Sequence, residues 1–181
     1  MNSFSPVVEK LPEGHPVKVY YEESALIQDL ISELNDVNPA EDFQKYFKIF
    51  NQLKNIEKRF ERIENQLFPY LEKRGWEGPT ECLWSFHDNL RAQIKLLSTY
   101  NSEKNIAKIQ DNIPYLTKGI ERLLTMEDTR LFPNSMEVIT DEDWKLLCIG
   151  DEEFGFMLEE EPKRYSSSSF KNSSKRALSL S

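Results

Sequence analysis

The sequence has few of the residues on which metal sites, disulfide frameworks and phosphate loops depend. Among its 181 residues are two histidines, two cysteines and six glycines. Cys82 and Cys148 are far apart and lie among apolar neighbours, so they are predicted to be buried thiols rather than a metal-binding pair. The glycines form no GxGxxG or Walker pattern, which argues against a phosphate-binding loop.

Long apolar runs and basic clusters are also missing. No segment approaches the roughly 20 apolar residues of a membrane-spanning helix, and residues 1–16 lack the basic start and apolar stretch of a secretory signal. The net charge is −8 with the acidic residues dispersed, whereas phosphate backbones are bound by clustered Lys and Arg. We therefore expect a cytoplasmic protein that binds neither membranes nor nucleic acid.

The sequence does contain helical periodicity. Apolar residues recur at helical spacing along four long segments. Pro114 is expected to kink or break the fourth, and Thr140 with Asp143 resembles a capping box that opens a short fifth helix. The predicted helices cover about 16–36, 39–73, 80–99, 102–132 and 140–149.

These segments predict an all-α fold, an antiparallel up-down-up-down four-helix bundle with a short extra C-terminal helix. A composition of 39% hydrophobic and 30% charged residues suits helices better than a parallel sheet buried on both faces. The bundle is predicted over 16–160. An extended N-terminal segment at 1–15 precedes it, and a Ser-rich disordered tail or linker at 161–181 follows it.

Two of the long helices end alike. Both the stretch that begins at Glu64 and the stretch that begins at Asp128 read acid-x-x-Leu-Phe-Pro. The match arises either by chance or because the bundle consists of two related helical hairpins.

One ionisable residue lies inside the apolar stripe of each long helix: Glu23, Glu64, His87 and Glu127. With about 100° per residue, each falls within about 40° of the apolar residue taken as its stripe's origin. Glu23 and His87 lie near the starts of their helices, and Glu64 and Glu127 near the ends, so an antiparallel bundle places all four at one end. Four such groups in a helical core form the layout used by carboxylate-bridged metal pairs.

Ion pairs are the alternative to a metal at this end of the bundle. A buried carboxylate without a partner costs several kcal/mol, and Lys18, Arg59 and Arg91 are predicted close enough to supply partners. A wide bundle mouth that leaves the acids solvated is a further alternative. The chain has neither the Glu-x-x-His motif of ferritin-like oxidative sites nor a recognisable nucleophile–base arrangement, so we expect no enzymatic activity.

The two histidines each have two interpretations. His87 is either a metal ligand or a core histidine hydrogen-bonded to Glu64 or Glu127. His15, directly before Pro16, is either a ligand or part of the loop structure.

A series of short motifs runs through the chain in a fixed order. They are Leu-Pro-Glu-Gly-His-Pro-Val from Leu11 with Glu22-Glu23, Ile-Glu-Lys from Ile56, Glu-Asn-x-Leu-Phe-Pro-Tyr-Leu-Glu from Glu64, Gly78-Pro79, Trp84-x-x-His87-Asp88-x-Leu90-Arg91, Glu127-Asp128-x-x-Leu-Phe-Pro, and Ile139 to Trp144. This series resembles the hemerythrin-like (HHE cation-binding) domain of bacterial and archaeal PAS sensor proteins. The likeness covers about residues 11–160.

The resemblance implies a four-helix bundle that binds non-haem iron and senses oxygen or redox state in a signalling protein. It also implies a PAS domain or another signalling domain as the partner. The positions that carry over as metal ligands are His87, Glu64, Glu23 and the Glu127–Asp128 pair, and His15 matches the family motif as well.

Two positions depart from the family pattern. Lys18 and Arg59 stand where the family often has histidine, and cations there would repel iron and favour ion pairs with the acids. We therefore expect a degenerate ligand set with non-haem iron as the cofactor or none. Two hypotheses follow, a metal-binding sensory module and a metal-free interaction or structural domain.

Overall fold

The structure, a computed structural model, describes residues 6–166, and every regular element in that range is helical. The prediction of an all-α chain is confirmed. We label the α-helices α1 to α9 and the two π-helical segments π1 and π2. In chain order they are α1 (Pro6–Glu9), α2 (Pro16–Asp36), α3 (Phe43–Leu53), α4 (Ile56–Arg62), π1 (Ile63–Leu67), α5 (Phe68–Glu72), α6 (Glu77–Ser102), α7 (Ile106–Met126), π2 (Glu127–Leu131), α8 (Phe132–Val138) and α9 (Asp141–Phe154).

Side-chain caps determine where several helices begin. Asp42 caps α3 and Asn105 caps α7, each accepting a hydrogen bond from the backbone N–H three residues later. The predicted starts near 39 and 102 are therefore too early. The predicted contact between Thr140 and Asp143 is confirmed, because the Thr140 hydroxyl oxygen accepts from the Asp143 N–H at 3.2 Å.

The two Leu-Phe-Pro endings share a local structure that the sequence did not predict. The N–H of Phe68 and that of Phe132 each donate to the carbonyl oxygen five residues earlier, which makes π1 and π2 wider turns than an α-helix. Pro69 and Pro133 follow directly and have no N–H, so the α-helical ladder cannot continue unchanged there. The similar sequences thus give the same irregularity in both halves of the chain.

Helix packing brings the two halves of the chain together over one core. α2 packs against α3 and α7, and α6 packs against α5 and α7. α9 lies against α4, π1 and α2, so it covers the side of α4 that a bare bundle would leave in water. Residues with at most 1% exposure run through the core, among them Leu34, Phe50, Leu97, Ile109 and Leu116.

Three sequence predictions need correction. Residues 6–9 form a helical turn instead of part of an extended segment, and Val8 and Leu11 are buried in the core. Pro114 does not break α7, which runs through it without interruption. Cys82 is exposed, since it lies on the outer side of α6, while Cys148 is buried as predicted.

The predicted disordered tail is ordered in its first residues. Tyr165 is 5% exposed and packs edge-on against His15. Gly14 has a φ of +77°, and a Cβ there would lie 1.8 Å from the carbonyl oxygen of Lys163, so only glycine permits this close approach. The rest of the predicted tail, residues 167–181, and residues 1–5 lie outside the described residues.

None of the helices in the described range combines the length and apolar character needed to cross a bilayer.

Candidate functional site: a buried charge cluster

Seven ionisable side chains meet inside the helical core. The three glutamates and His87 that the helical stripes predicted are joined by three arginines. Five of the seven have no exposed surface at all. We call this group the charge cluster; its members are Glu23, Arg59, Arg62, Glu64, His87, Arg91 and Glu127.

Arg59 of α4 forms the centre of the charge cluster. Its Nη2 donates to Oε2 of Glu127 at 2.6 Å and to the hydroxyl oxygen of Ser24 at 3.0 Å. Its Nη1 donates to the backbone carbonyl of Tyr20 at 2.7 Å and reaches Oε2 of Glu23 at 3.4 Å. Its Nε donates to Oε2 of Glu127 at 3.2 Å. A guanidinium so fully hydrogen-bonded is held in one orientation.

Arg62, one turn further along α4, pairs with Glu23. Its Nη2 lies 2.5 Å from both carboxylate oxygens of Glu23. The backbone N–H of Met157 donates to Oε1 of Glu23 at 2.8 Å, and the ring of Phe156 lies 4.7 Å from the Arg62 guanidinium carbon. The segment that follows α9 therefore closes this side of the cluster.

Glu64 of π1 has two cationic partners. Its Oε1 lies 2.8 Å from Nδ1 of His87 and 2.8 Å from Nη1 of Arg91, and its Oε2 accepts from Nη2 of Arg91 at 2.9 Å. Arg91 also contacts Glu57 and Asp88 at the half-buried edge of the cluster. Both oxygens of Glu64 are thus engaged by protein donors.

The environment shifts the pKa of each acid–base group in the cluster. Burial alone would raise the pKa of Glu127, but the Arg59 charge lowers it below its ordinary value. Burial also opposes ionisation of Glu64, and the hydrogen bonds from His87 and Arg91 lower its pKa overall. Burial disfavours the imidazolium of His87, yet Glu127 and Glu64 raise the pKa of His87 above its ordinary value. Charged partners therefore favour the ionised form of all three groups.

Three buried polar atoms of the cluster have no hydrogen-bond partner among the described residues: Nη1 of Arg62, Nε2 of His87 and Oε1 of Glu127. Nε2 of His87 and Oε1 of Glu127 face each other at 3.9 Å. The His87 ring is stacked on Phe60 at 4.2 Å between centroids, which fixes its plane. The imidazole consequently lies between the carboxylates of Glu64 and Glu127.

The other predicted site residues lie outside the cluster. His15 caps α2, its Nδ1 accepting from the Val17 N–H at 3.2 Å, and burial lowers its pKa to about 4. Lys18 makes no ion pair with the inward acids in the described part of the chain. Asp128 is half-buried beside the cluster, and burial together with the neighbouring Glu127 charge raises its pKa to about 6.

The prediction from the sequence did not include two buried charged residues, Arg62 and Asp151. Arg62 replaces the predicted Lys18 as a partner of the inward acids. Asp151 of α9 is 3% exposed, and its Oδ1 has no hydrogen-bond partner within residues 6–166. Burial raises its pKa to about 7 against the opposing effect of the Arg62 charge. Both lie where α9 covers α4.

Residues 15–135 match the family model of the hemerythrin HHE cation-binding domain. That span covers more than half of the chain and includes every member of the charge cluster. The chain belongs to the hemerythrin family. No curated protein matches it.

The donor set of this hemerythrin-family chain does not fit a bound cation. The carboxylates of Glu23, Glu64 and Glu127 already accept hydrogen bonds from guanidinium groups, so each of these three predicted ligands has an arginine as its compensating charge. Within residues 6–166, no three His, Cys, Asp or Glu side chains are grouped as ligands for a metal ion. A divalent cation there would meet Arg59 and Arg62 without compensating charge.

Proposed function

We propose that this chain is a metal-free member of the hemerythrin family, in which arginines compensate the charge of the buried acids in place of a metal ion. Its role is that of a helical regulatory or structural module, without enzymatic activity. The observation that supports this most is Arg59, whose guanidinium contacts Glu127 and Glu23 from a position where the related sensor domains often have histidine.

The chemistry of arginine favours this assignment over a cation site that is only partly filled. Arginine remains protonated at any physiological pH and presents its donors in a rigid fork. Arg62 holds both oxygens of Glu23, and Arg59 holds Oε2 of Glu127, so within the described residues Oε1 of Glu127 is the one carboxylate oxygen of this pair without a donor. Iron-based oxygen or redox sensing, which the family resemblance implied, would require Arg59 and Arg62, neither of which has any exposed surface, to leave the core.

For the architecture we propose the antiparallel up-down-up-down order. The helical units would be α2, α3 to α5, α6, and α7 to α8, with α9 as an additional helix. Short connections between consecutive units and the packing of α2 on α3 and of α6 on α7 support this order. It places the cluster residues of all four units at the same depth.

For the partner we propose a PAS domain or another signalling domain. The exposed face of α9 supplies a surface for such a contact, because Leu146 and Ile149 are 57% and 50% exposed on neighbouring turns. Titration of a candidate PAS domain into the labelled protein should shift the amide resonances of this face. Unchanged spectra at saturating concentrations would count against it.

The metal-free assignment predicts that stability does not depend on metal ions. Ligands that bind the folded state raise its stability, by about 2.7 kcal/mol at a concentration of 100 Kd. We therefore expect the same thermal midpoint in EDTA, in ferrous iron under nitrogen and in zinc. A midpoint that rises with iron and falls with EDTA would show that the cluster accepts a cation. The unfolding should be followed by circular dichroism.

A further inference from the structure

An apolar groove near the cluster end has no role in the charge network. It has a volume of about 420 Å³ and lies between the start of α6 and the turn formed by π2 and α8. Trp76, Leu83, Met126 and Leu131 supply most of its wall. This volume is within the range of small-molecule pockets, which are mostly apolar with a few polar groups that orient the ligand.

Thr80, Arg130 and Asn134 are polar residues that line this groove. The Thr80 hydroxyl donates to Glu72 at 2.9 Å, and the Asn134 amide donates to the carbonyl oxygen of Arg130 at 2.7 Å. The Arg130 guanidinium, in contrast, has no acidic partner among the residues that the structure describes. By comparison, Arg74 is paired with Asp143, and each arginine of the charge cluster is paired with a glutamate.

The geometry points to a binding site for a small amphipathic anion, with its apolar body in the groove and its carboxylate on Arg130. Apolar walls would take the hydrocarbon part, since burying apolar surface is favourable in proportion to its area. A guanidinium pairs with a carboxylate through two parallel N–H donors. The net charge of the chain is −8, so selection of an anion would depend on this local cation.

Cys82 provides a direct readout of occupancy. Its exposed thiol lines the groove, whereas the thiol of Cys148 is buried elsewhere and reports only on unfolding. We would measure the rate of Cys82 alkylation by iodoacetamide with mass spectrometry. The ligands are decanoate and its uncharged counterpart, 1-decanol.

In the native protein, decanoate is expected to slow alkylation of Cys82 at lower concentrations than decanol does. Arg130→Gln should raise the half-protecting concentration of decanoate by about tenfold and leave that of decanol unchanged. Arg122→Gln is the matched control, because Arg122 is also exposed but does not line the groove. Protection by neither ligand, or equal decanoate values in the two variants, would overturn the proposal. The readout does not involve metal binding, so its outcome is separate from that of the metal-free assignment.

Discussion

Replacing Arg59 with methionine is expected to lower the free energy of unfolding by about 3–5 kcal/mol, the usual cost of removing one partner from a buried ion pair. The substitution leaves Oε2 of Glu127 without the donor now 2.6 Å away. It also removes one of the donors to the Tyr20 carbonyl and the Arg59 donor to the Ser24 hydroxyl oxygen. Methionine fills a similar volume, so the loss reports mainly on charge and hydrogen bonding. Urea unfolding monitored by circular dichroism measures it.

Two further variants distinguish this explanation from simple loss of packing. Arg122→Met, at an exposed arginine, should change the free energy of unfolding by no more than about 0.5 kcal/mol. Glu127→Gln added to Arg59→Met should recover part of the loss, because it removes the uncompensated buried charge. If the double variant is less stable than Arg59→Met alone, the ion pair is not the source of the effect.

Replacing Asp151 with asparagine is expected to raise the free energy of unfolding at pH 8 by about 2–4 kcal/mol. Burial raises the pKa of Asp151 to about 7 in the folded protein, against about 4 in an unfolded chain. The folded state therefore binds one more proton between these values. The stability contributed by this group is complete below about pH 4 and is lost as the pH rises towards 7. Asparagine has nearly the same shape and stays neutral.

The difference between Asp151→Asn and the native protein should therefore grow from about pH 4 to pH 7 and then remain constant. The difference is measured from the unfolding midpoints of both proteins across this pH range. The acids of the charge cluster titrate in both proteins, so their effect cancels in the difference. Asp111→Asn, at an exposed position, should show no such growth. A difference that does not change with pH would mean that Asp151 is ionised in the folded state throughout.

The helical stripes predicted the three glutamates and the histidine of the charge cluster, because these residues lie on helix faces that the bundle itself buries. Glu23, Glu64, His87 and Glu127 each fall within an apolar stripe, and the structure brings them together. Their proposed role as metal ligands was an interpretation of this convergence. Helical geometry alone does not show whether a metal ion or an arginine compensates the charge of these acids.

Arg62 could not be found in the same way for two physical reasons. At about 100° per residue, Arg62 lies about 180° from Leu53, on the side of the helix opposite the apolar stripe that contains Glu64. Arg62 is then buried by α9 and by the segment after it, where Phe156 and Met157 contact the Arg62–Glu23 pair. Burial by elements distant in sequence leaves no periodic signal.

The two π-helical turns were hidden for a related reason. The shared Leu-Phe-Pro endings were compatible with chance or with related hairpins, and they did not indicate π geometry. Each π-helical turn is followed closely by a proline, Pro69 or Pro133, that has no N–H for an α-helical ladder. Pro114 was expected to kink or break its helix, and α7 runs through it. A proline therefore accompanies a change of helix type at two of these positions and lies within an uninterrupted α-helix at the third.

Elemental analysis of the aerobically purified full chain tests the central claim most directly. The account predicts iron, zinc and manganese far below one equivalent per chain. It also predicts the same values for a Glu64→Ala variant, because Glu64 is held by His87 and Arg91 rather than by a metal ion. Close to one or two equivalents of iron in the native protein, reduced in Glu64→Ala, would contradict it.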